Sequence, residues 1–211
     1  MSRVAIAVVG AGPVGLATAL LLADAGHEVA LIAPASPPTD RRTSALLQGS
    51  VALLERLGVW QQLSASATPL RTMRIVDDTG RLIRAPEVAF SAGEIDLAAF
   101  GYNVANTELV AVLEAAVAQR DVRRIAALAD TVTVGNDGIS IRLANGETVA
   151  ARLVVAADGR RSRVREAAGI GIDEWRYDQA ALVCDLRHSL PQHDTSTEFH
   201  SPYGPFTLVP Q

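Results

Sequence analysis

The chain contains no lysine: all 19 of its basic residues are arginine. Chemistry that needs a lysine amine, such as Schiff-base formation with pyridoxal phosphate or a carbonyl substrate, is therefore excluded. Cysteine occurs once, at Cys184, so the chain can neither close an internal disulfide nor build a cysteine-rich zinc site. A reducing compartment suits it. The histidines His27, His188, His193 and His200 have no metal-ligand spacing on a common helix face, and no metal site is expected. No stretch reaches the roughly 20 uninterrupted apolar residues of a membrane span, and there is no G-x-S-x-G elbow for a hydrolase. A positive balance is missing as well. The formal charge of −4 disfavours nucleic acid as a partner and makes small molecules the first expectation.

What is present is ample apolar material. Hydrophobic residues make up 49% of the 211, enough for one large domain, or one domain and part of another. Val4 to Val9 is a continuous β-branched run, as in a strand covered on both faces. It is followed by Gly10, Gly12 and Gly15, then by an apolar helix expected over Pro13 to Ala25 with Gly26 as its C-terminal cap, then by a second strand, Val29 to Ala33. Arg3 and the apolar stretch after it have the outline of a signal peptide, but the glycines and Pro13 interrupt that stretch in an order with its own mechanical meaning. G-x-G-x-x-G directly after a strand and at the start of a helix is the dinucleotide fingerprint. Gly10 permits the tight turn, Gly12 removes the side chain that would block a pyrophosphate, and Gly15 lets helix and strand approach. Pro13 and Val14 open the helix whose N–H groups face the phosphates.

The acid that ordinarily closes this motif on a ribose is absent, because the second strand ends in Ala33. Glu28 lies at the wrong end of that strand, Asp24 is in the helix, and Asp40 follows the Pro-rich loop "PASPPTD". A ribose carboxylate would point to NAD or FAD, and its loss to NADP with Arg41 or Arg42 on a 2′-phosphate. The first motif alone leaves this open.

Further along, Ser50 to Leu57 reads as a helix, Arg71 to Ala85 as a hairpin turning at "DDTG", and Asn106 or Thr107 as the cap of a helix to about Gln119. That helix would bury Leu109, Val112, Leu113, Ala116 and Val117 on one face. From Thr131 to Ala150, three alternating stretches joined by "GNDG" and "ANGE" form an antiparallel meander. Leu153 to Ala156 is again an apolar strand. It runs into "DGRRSRVR", where Asp158 leaves the ligand-binding edge of the sheet, Gly159 permits a sharp turn, and Ser162 can cap a helix from Arg163 to Ala168. After about Asp178, "ALVCDL" and "TEFHSPYGPFTLV" read as longer strands of a second, β-rich domain.

These segments resemble the FAD-dependent aromatic hydroxylases typified by para-hydroxybenzoate hydroxylase, and within them the ubiquinone-biosynthesis hydroxylases. Asp158, Gly159, Arg161, Ser162, Val164 and Arg165 match that family's Asp-Gly fingerprint, which serves FAD and NAD(P)H. Asp40 to Trp60 is similar to the stretch that carries the flavin-contacting arginine, aligned with Arg42. "GYNVANTELVAVLEAAV" resembles the helix whose start touches the flavin, which puts Asn106 near the cofactor. "YGPFTLVP" resembles the first substrate-domain strands.

The resemblance implies an α/β fold: a Rossmann-like FAD-binding domain over residues 1–177 with an inserted β-meander, and the start of a substrate domain over 178–211, to which 71–100 contribute. It implies FAD held by Gly10, Gly12, Pro13, Val14, Gly15, Arg42, Asn106, Asp158 and Gly159. NAD(P)H reduces the cofactor, O2 is captured, and one oxygen passes to an electron-rich phenol, here a polyprenylated one in quinone synthesis. No residue is singled out as general acid or base. Tyr203 and Phe206 are candidates to approach a substrate ring or to pack in a core. A cytoplasmic location, with peripheral contact to the inner membrane or to other subunits of a quinone-biosynthesis complex, is implied as well. Two departures stand against the pattern: Ala33, and a length about half the family's without its later Gly-Asp segment, which makes the chain look like an N-terminal portion. A flavin reductase or dehydrogenase on the same scaffold, or a non-catalytic FAD-binding remnant packed on a partner, remains the alternative.

Overall fold

The computed structural model describes residues 2–35, 40–135 and 138–211; four residues of the Pro-rich loop and the centre of the "GNDG" turn lie outside the described residues. The elements begin with β1 (Ser2–Val9), α1 (Pro13–Asp24), β2 (Val29–Ala33), β3 (Thr43–Leu47), α2 (Gln48–Arg56) and α3 (Trp60–Ser64). They continue with β4 (Thr68–Leu70), β5 (Thr72–Asp77), β6 (Val88–Ser91), a 3-10 turn (Ala92–Ile95), β7 (Gly101–Ala105) and α4 (Asn106–Ala118). The last are β8 (Val122–Ala126), β9 (Ala129–Gly135), β10 (Gly138–Leu143), β11 (Thr148–Ala156), α5 (Arg163–Ala167), β12 (Thr195–Ser201) and β13 (Gly204–Leu208). None of the described helices is long and apolar enough to cross a membrane. Compactness partitions the chain into one unit of Met1–Asp40 with Leu109–Ala180 and another of Arg41–Glu108 with Ala181–Gln211.

The first unit is built on a six-stranded sheet in the order β8-β2-β1-β11-β10-β9. β8, β2, β1 and β11 run parallel, with Ile6 level with Val29 and Leu153, and Ala33 level with Ala126. The C-terminal ends of four parallel strands therefore share one edge, the place where open α/β sheets take their ligands. All five residues of β2 are buried, as the unbroken apolar run requires. α1 lays Gly15, Leu16, Ala19 and Leu20 inward, and Gly26, at φ +80°, ends it. The expected meander is present as β9, β10 and β11. Its third strand is continuous with the apolar strand Leu153–Ala156, so β11 pairs with β10 on one side and β1 on the other. Val4, Ala7, Val9, Ala30 and Ile32 of the parallel strands form one core with Ile141, Leu143, Val149 and Ala151. On α4, Leu109, Leu113, Ala116 and Val117 are buried as the apolar spacing marks, while Val112, expected with them, is half-buried.

The second unit holds a three-stranded antiparallel sheet, β3-β7-β4, and a four-stranded mixed sheet, β13-β12-β5-β6. Gly101 allows β7 to lie against β3, since a Cβ there would stand 2.4 Å from the Leu46 carbonyl oxygen. Two expectations change. The hairpin of β5 has its second arm at Val88–Ser91, not before Ala85, because "DDTG" opens a longer loop rather than forming a two-residue turn. "ALVCDL", Ala181 to Leu186, has the alternation of a strand but no ladder partner among the described residues, and it carries no regular structure. A strand without a neighbour leaves its backbone to water. "TEFHSPYGPFTLV" does become β12 and β13, joined at Pro202–Tyr203, and β12 pairs parallel with β5.

The β5–β6 loop is organised by one carboxylate. Asp77 accepts hydrogen bonds from the Thr79 N–H at 3.0 Å and the Ala85 N–H at 2.9 Å. The Thr79 hydroxyl beside it, the Ala85 and Thr79 N–H groups and the charge of Arg81 lower its pKa from 3.8 to about 2. Among the described residues Thr79 Oγ1 has no hydrogen-bond partner, and the two backbone bonds to Asp77 tie the loop together. Because the folded pKa is depressed, the stabilisation is complete above the unfolded value and is lost as pH falls through about 2. Asp77→Asn should therefore speed amide exchange at Ala85 near neutral pH, with the difference from the parent chain vanishing in acid as the native carboxyl protonates.

Candidate functional site

At the ligand edge of the first unit, three backbone segments meet. Gly10, at φ +108°, donates its N–H to the Ile32 carbonyl at 2.8 Å, and Ala157 donates to the Val9 carbonyl at 2.9 Å. A Cβ on Gly10 would fall 2.1 Å from the Ala157 carbonyl oxygen, and one on Gly15 would fall 2.0 Å from the Gly10 carbonyl oxygen. Neither position admits another residue without moving backbone. Gly12 differs: nothing lies within 4 Å of where a Cβ would stand, and it occupies the N-cap of α1 with no side-chain cap and no acid in the first turn. The first N–H groups of α1 are thus left to a ligand or to water, beside open space where a side chain would otherwise be. Pro13 occupies the first helical turn, where its missing N–H costs nothing, and Val14 is 72% exposed.

The Asp-Gly segment closes the other side. Asp158 Oδ2 accepts from the Arg163 N–H at 2.7 Å and the Val164 N–H at 3.3 Å, while Oδ1 is buried and has no partner among the described residues. Gly159, at φ +83°, makes the turn, and Ser162 Oγ accepts from the Arg165 N–H at 3.0 Å, capping α5 as expected. The arginines of "GRRSRVR" serve different ends. Arg163 binds the Asp130 carbonyl at 2.6 Å and its carboxylate at 3.0 Å, and Arg165 binds the Arg160 carbonyl at 3.0 Å.

In the second unit, the ends of β3 and β7 bring Arg42, Ser44 and Asn106 together. The Asn106 N–H donates to the Arg42 carbonyl at 3.0 Å, and the Ser44 hydroxyl donates to Asn106 Oδ1 at 2.5 Å. Gln48 Nε2 donates to the Ala99 carbonyl at 2.7 Å. Of the aromatic candidates, Phe206 packs on Phe199 with ring centroids 6.0 Å apart, and Tyr203 is fully exposed. Among the described residues no group of His, Cys, Asp and Glu is arranged to hold a metal.

At the end of β2 the structure shows what the sequence did not single out. Arg124, on β8, donates from Nη1 to the Ala33 carbonyl at 3.5 Å and from Nη2 to the Pro34 carbonyl at 3.4 Å and to Glu114 Oε1 at 3.2 Å. The ion pair is local, ten residues apart in sequence, whereas the contacts of Arg124 with Ala33 and Pro34 arise from the long-range pairing of β8 with β2. A cavity of about 270 Å³, lined by Ser2, Arg123, Arg124, Asn145 and Glu147 among others, includes none of the cofactor residues expected from the sequence.

An FAD pyrophosphate fits the first unit's backbone, with a side-chain-free approach at Gly12 and open helix N–H donors; Asp158 Oδ1, unpartnered among the described residues, is an acceptor and suits a cofactor hydroxyl instead. The glycine geometry gives a direct expectation. Gly15→Ala and Gly10→Ala should each lower stability by about 2 kcal/mol or more through overpacking against backbone, measured as a fall in the thermal midpoint of the chain.

A family model described as FAD binding domain matches residues 3–200. Ubiquinone hydroxylase UbiL of Rhodospirillum rubrum is 34% identical over 97% of this chain and 48% of its own length. The 3-demethoxyubiquinol 3-hydroxylase of Escherichia coli is 33% identical over 97% of this chain and 54% of its own length. The chain spans about half the length of these relatives. Among solved structures, the flavin-dependent monooxygenase PieE, in complex with FAD and substrate, has a TM-score of 0.65 at 25% identity, over 81% of this chain and 33% of that one. With a family model covering nearly the whole sequence, and a glycine turn between strand and helix to match it, this chain belongs to the FAD binding domain family.

Proposed function

We propose that this chain is the FAD-binding portion, with the first substrate-domain strands, of a monooxygenase that hydroxylates the ring of a polyprenylated phenol in ubiquinone synthesis. One observation carries the reading: the cradle of Gly10, Gly12 and Gly15, closed by Ala157 and Asp158, in a chain whose relatives are named ubiquinone hydroxylases. In the overall reaction a phenol, O2, NAD(P)H and a proton give the hydroxylated phenol, NAD(P)+ and water. Bound FAD supplies the redox chemistry, which no side chain can.

The residues of the chain bind and orient. The first-turn N–H groups of α1, from Val14 onward, face the pyrophosphate, and Gly12 keeps the approach clear. Asp158 Oδ1 accepts from a cofactor hydroxyl, which satisfies an atom that is costly to leave unpaired. Gly159 turns the chain away from that contact. In the second unit, Arg42 and Asn106, tied through their backbones, contribute the flavin-side contacts. β5 and β6 share one sheet with β12 and β13, which supports a substrate domain drawing on residues 71–100 as well as 178–211. A prenylated substrate brings the enzyme to the cytoplasmic surface of the membrane that dissolves it, by peripheral contact.

Purified from a flavin-replete host, the chain should carry a yellow chromophore or quench FAD fluorescence on titration; a colourless chain with no response to FAD overturns the reading. Gly12→Ala should melt with the parent chain, because a Cβ there meets nothing, yet bind FAD at least about tenfold more weakly because it obstructs the phosphate. In the full-length protein, a prenylated phenol should stimulate NAD(P)H oxidation with a hydroxylated product by mass spectrometry. Oxidation without hydroxylated product would point to a reductase instead.

A further inference from the structure

β2 ends where a nucleotide-binding sheet ordinarily presents a carboxylate to the adenosine ribose. Here that position is Ala33, which is 4% exposed and offers no side-chain acceptor. A carboxylate nevertheless reaches this strand end from another element. Glu114 leaves α4 beside the buried Leu113, and its Oε1 is bound by Arg124 Nη2 at 3.2 Å. The same nitrogen touches the Pro34 carbonyl, at 3.4 Å, and its partner Nη1 touches that of Ala33, at 3.5 Å. One guanidinium thus ties Glu114 to the last residue of β2 and the first beyond it.

Two features make this more than a surface ion pair. Both side chains are largely covered, at 27% and 31% exposure, so the carboxylate is held in place before any ligand arrives, and the entropy of ordering it is already spent. Only Oε1 is engaged among the described residues, which leaves Oε2 able to accept. Arg124 also compensates the negative charge. An unpaired acid placed close to a pyrophosphate would repel it, whereas a paired one keeps its acceptor strength without adding net charge at the site.

We propose that Glu114, positioned by Arg124, is the carboxylate that accepts hydrogen bonds from the hydroxyls of the FAD adenosine ribose, replacing the strand-end acid that Ala33 removes. The inference rests on the FAD reading above, and its test separates the two. The full 211-residue chain is titrated with FAD and with an FAD analogue whose adenosine ribose lacks both hydroxyls, binding being followed by flavin fluorescence. The parent chain should bind FAD about tenfold more tightly than the analogue, the value of a hydrogen bond to a charged group. Glu114→Gln should bind both equally, near the affinity of the parent for the analogue, with the apo melting temperature little changed because a partly exposed ion pair is worth little. Arg124→Ala should lose most of the discrimination too. Adding Ala33→Glu to Glu114→Gln should restore it from the conventional position.

If Glu114→Gln keeps the parent's discrimination, or if the parent shows none, the inference is overturned while FAD binding stands. An equal loss of affinity for both ligands overturns it too, by showing that the residue supports the fold rather than the ribose. Absence of FAD binding by the parent chain overturns both this inference and the reading beneath it.

Discussion

The Gly10 carbonyl oxygen stands 2.0 Å from where a Cβ of Gly15 would be, and the Ala157 carbonyl stands 2.1 Å from where a Cβ of Gly10 would be. Everything at the ligand edge depends on this three-way contact between the end of β1, the first turn of α1 and the end of β11. Only main chain without side chains can pack so closely. The close approach sets where the helix N-terminus points. It also fixes Asp158, the next residue but one after β11, against the same edge. The glycines are therefore first a packing requirement. Of the three, Gly12 alone has open space where a Cβ would stand, so the packing does not require its lack of a side chain.

Polar groups at this edge are divided in the same manner. Asp158 spends one oxygen on the N–H groups of Arg163 and Val164 and leaves the other buried and unpartnered among the described residues. Ser162, by contrast, uses its hydroxyl oxygen to cap α5. Arg163 is engaged by Asp130, so its charge braces α5 against the start of β9. A cluster of like residues in sequence thus separates into one half-free acceptor, one cap and one brace. That separation, and not the number of arginines, gives the segment its chemistry.

Much of the first unit was legible in the sequence, because its signals are local. β2 follows the apolar run Val29–Ala33 residue for residue, α1 starts at Pro13, and α5 starts just after Ser162. The second unit was harder to read because its order comes from partners far away. "ALVCDL" alternates like a strand but finds no neighbour, whereas Thr43–Leu47, with little strand character of its own, is a strand because β7 pairs with it. The turn "DDTG" misled for a related reason: Asp77 reaches forward to Ala85, so its carboxylate, and not the turn, sets the length of the loop. Of the site, the glycines and Asp158 carry their own motif. The Arg124–Glu114 pair carries no motif, and its place at the end of β2 comes only from the pairing of β8 with that strand.

The parallel pairing of β12 with β5 has a consequence for the birth of the protein. Arg71 and Asp194, joined side chain to side chain at the start of that pairing, are 123 residues apart. The length-dependent entropy of closing such a loop in an unstructured chain is about 4 kcal/mol. During synthesis β5 and β6 emerge early, as a two-stranded ribbon that is marginal by itself. They must wait while the whole of β8 to α5 is made. Folding of those intervening residues into the first unit shortens the effective loop, so completion of one unit prepares the other. Until Thr195 and the strand after it have left the ribosome, the first unit's sheet can be complete while the β5 edge stays unpaired and open to chaperones or to aggregation.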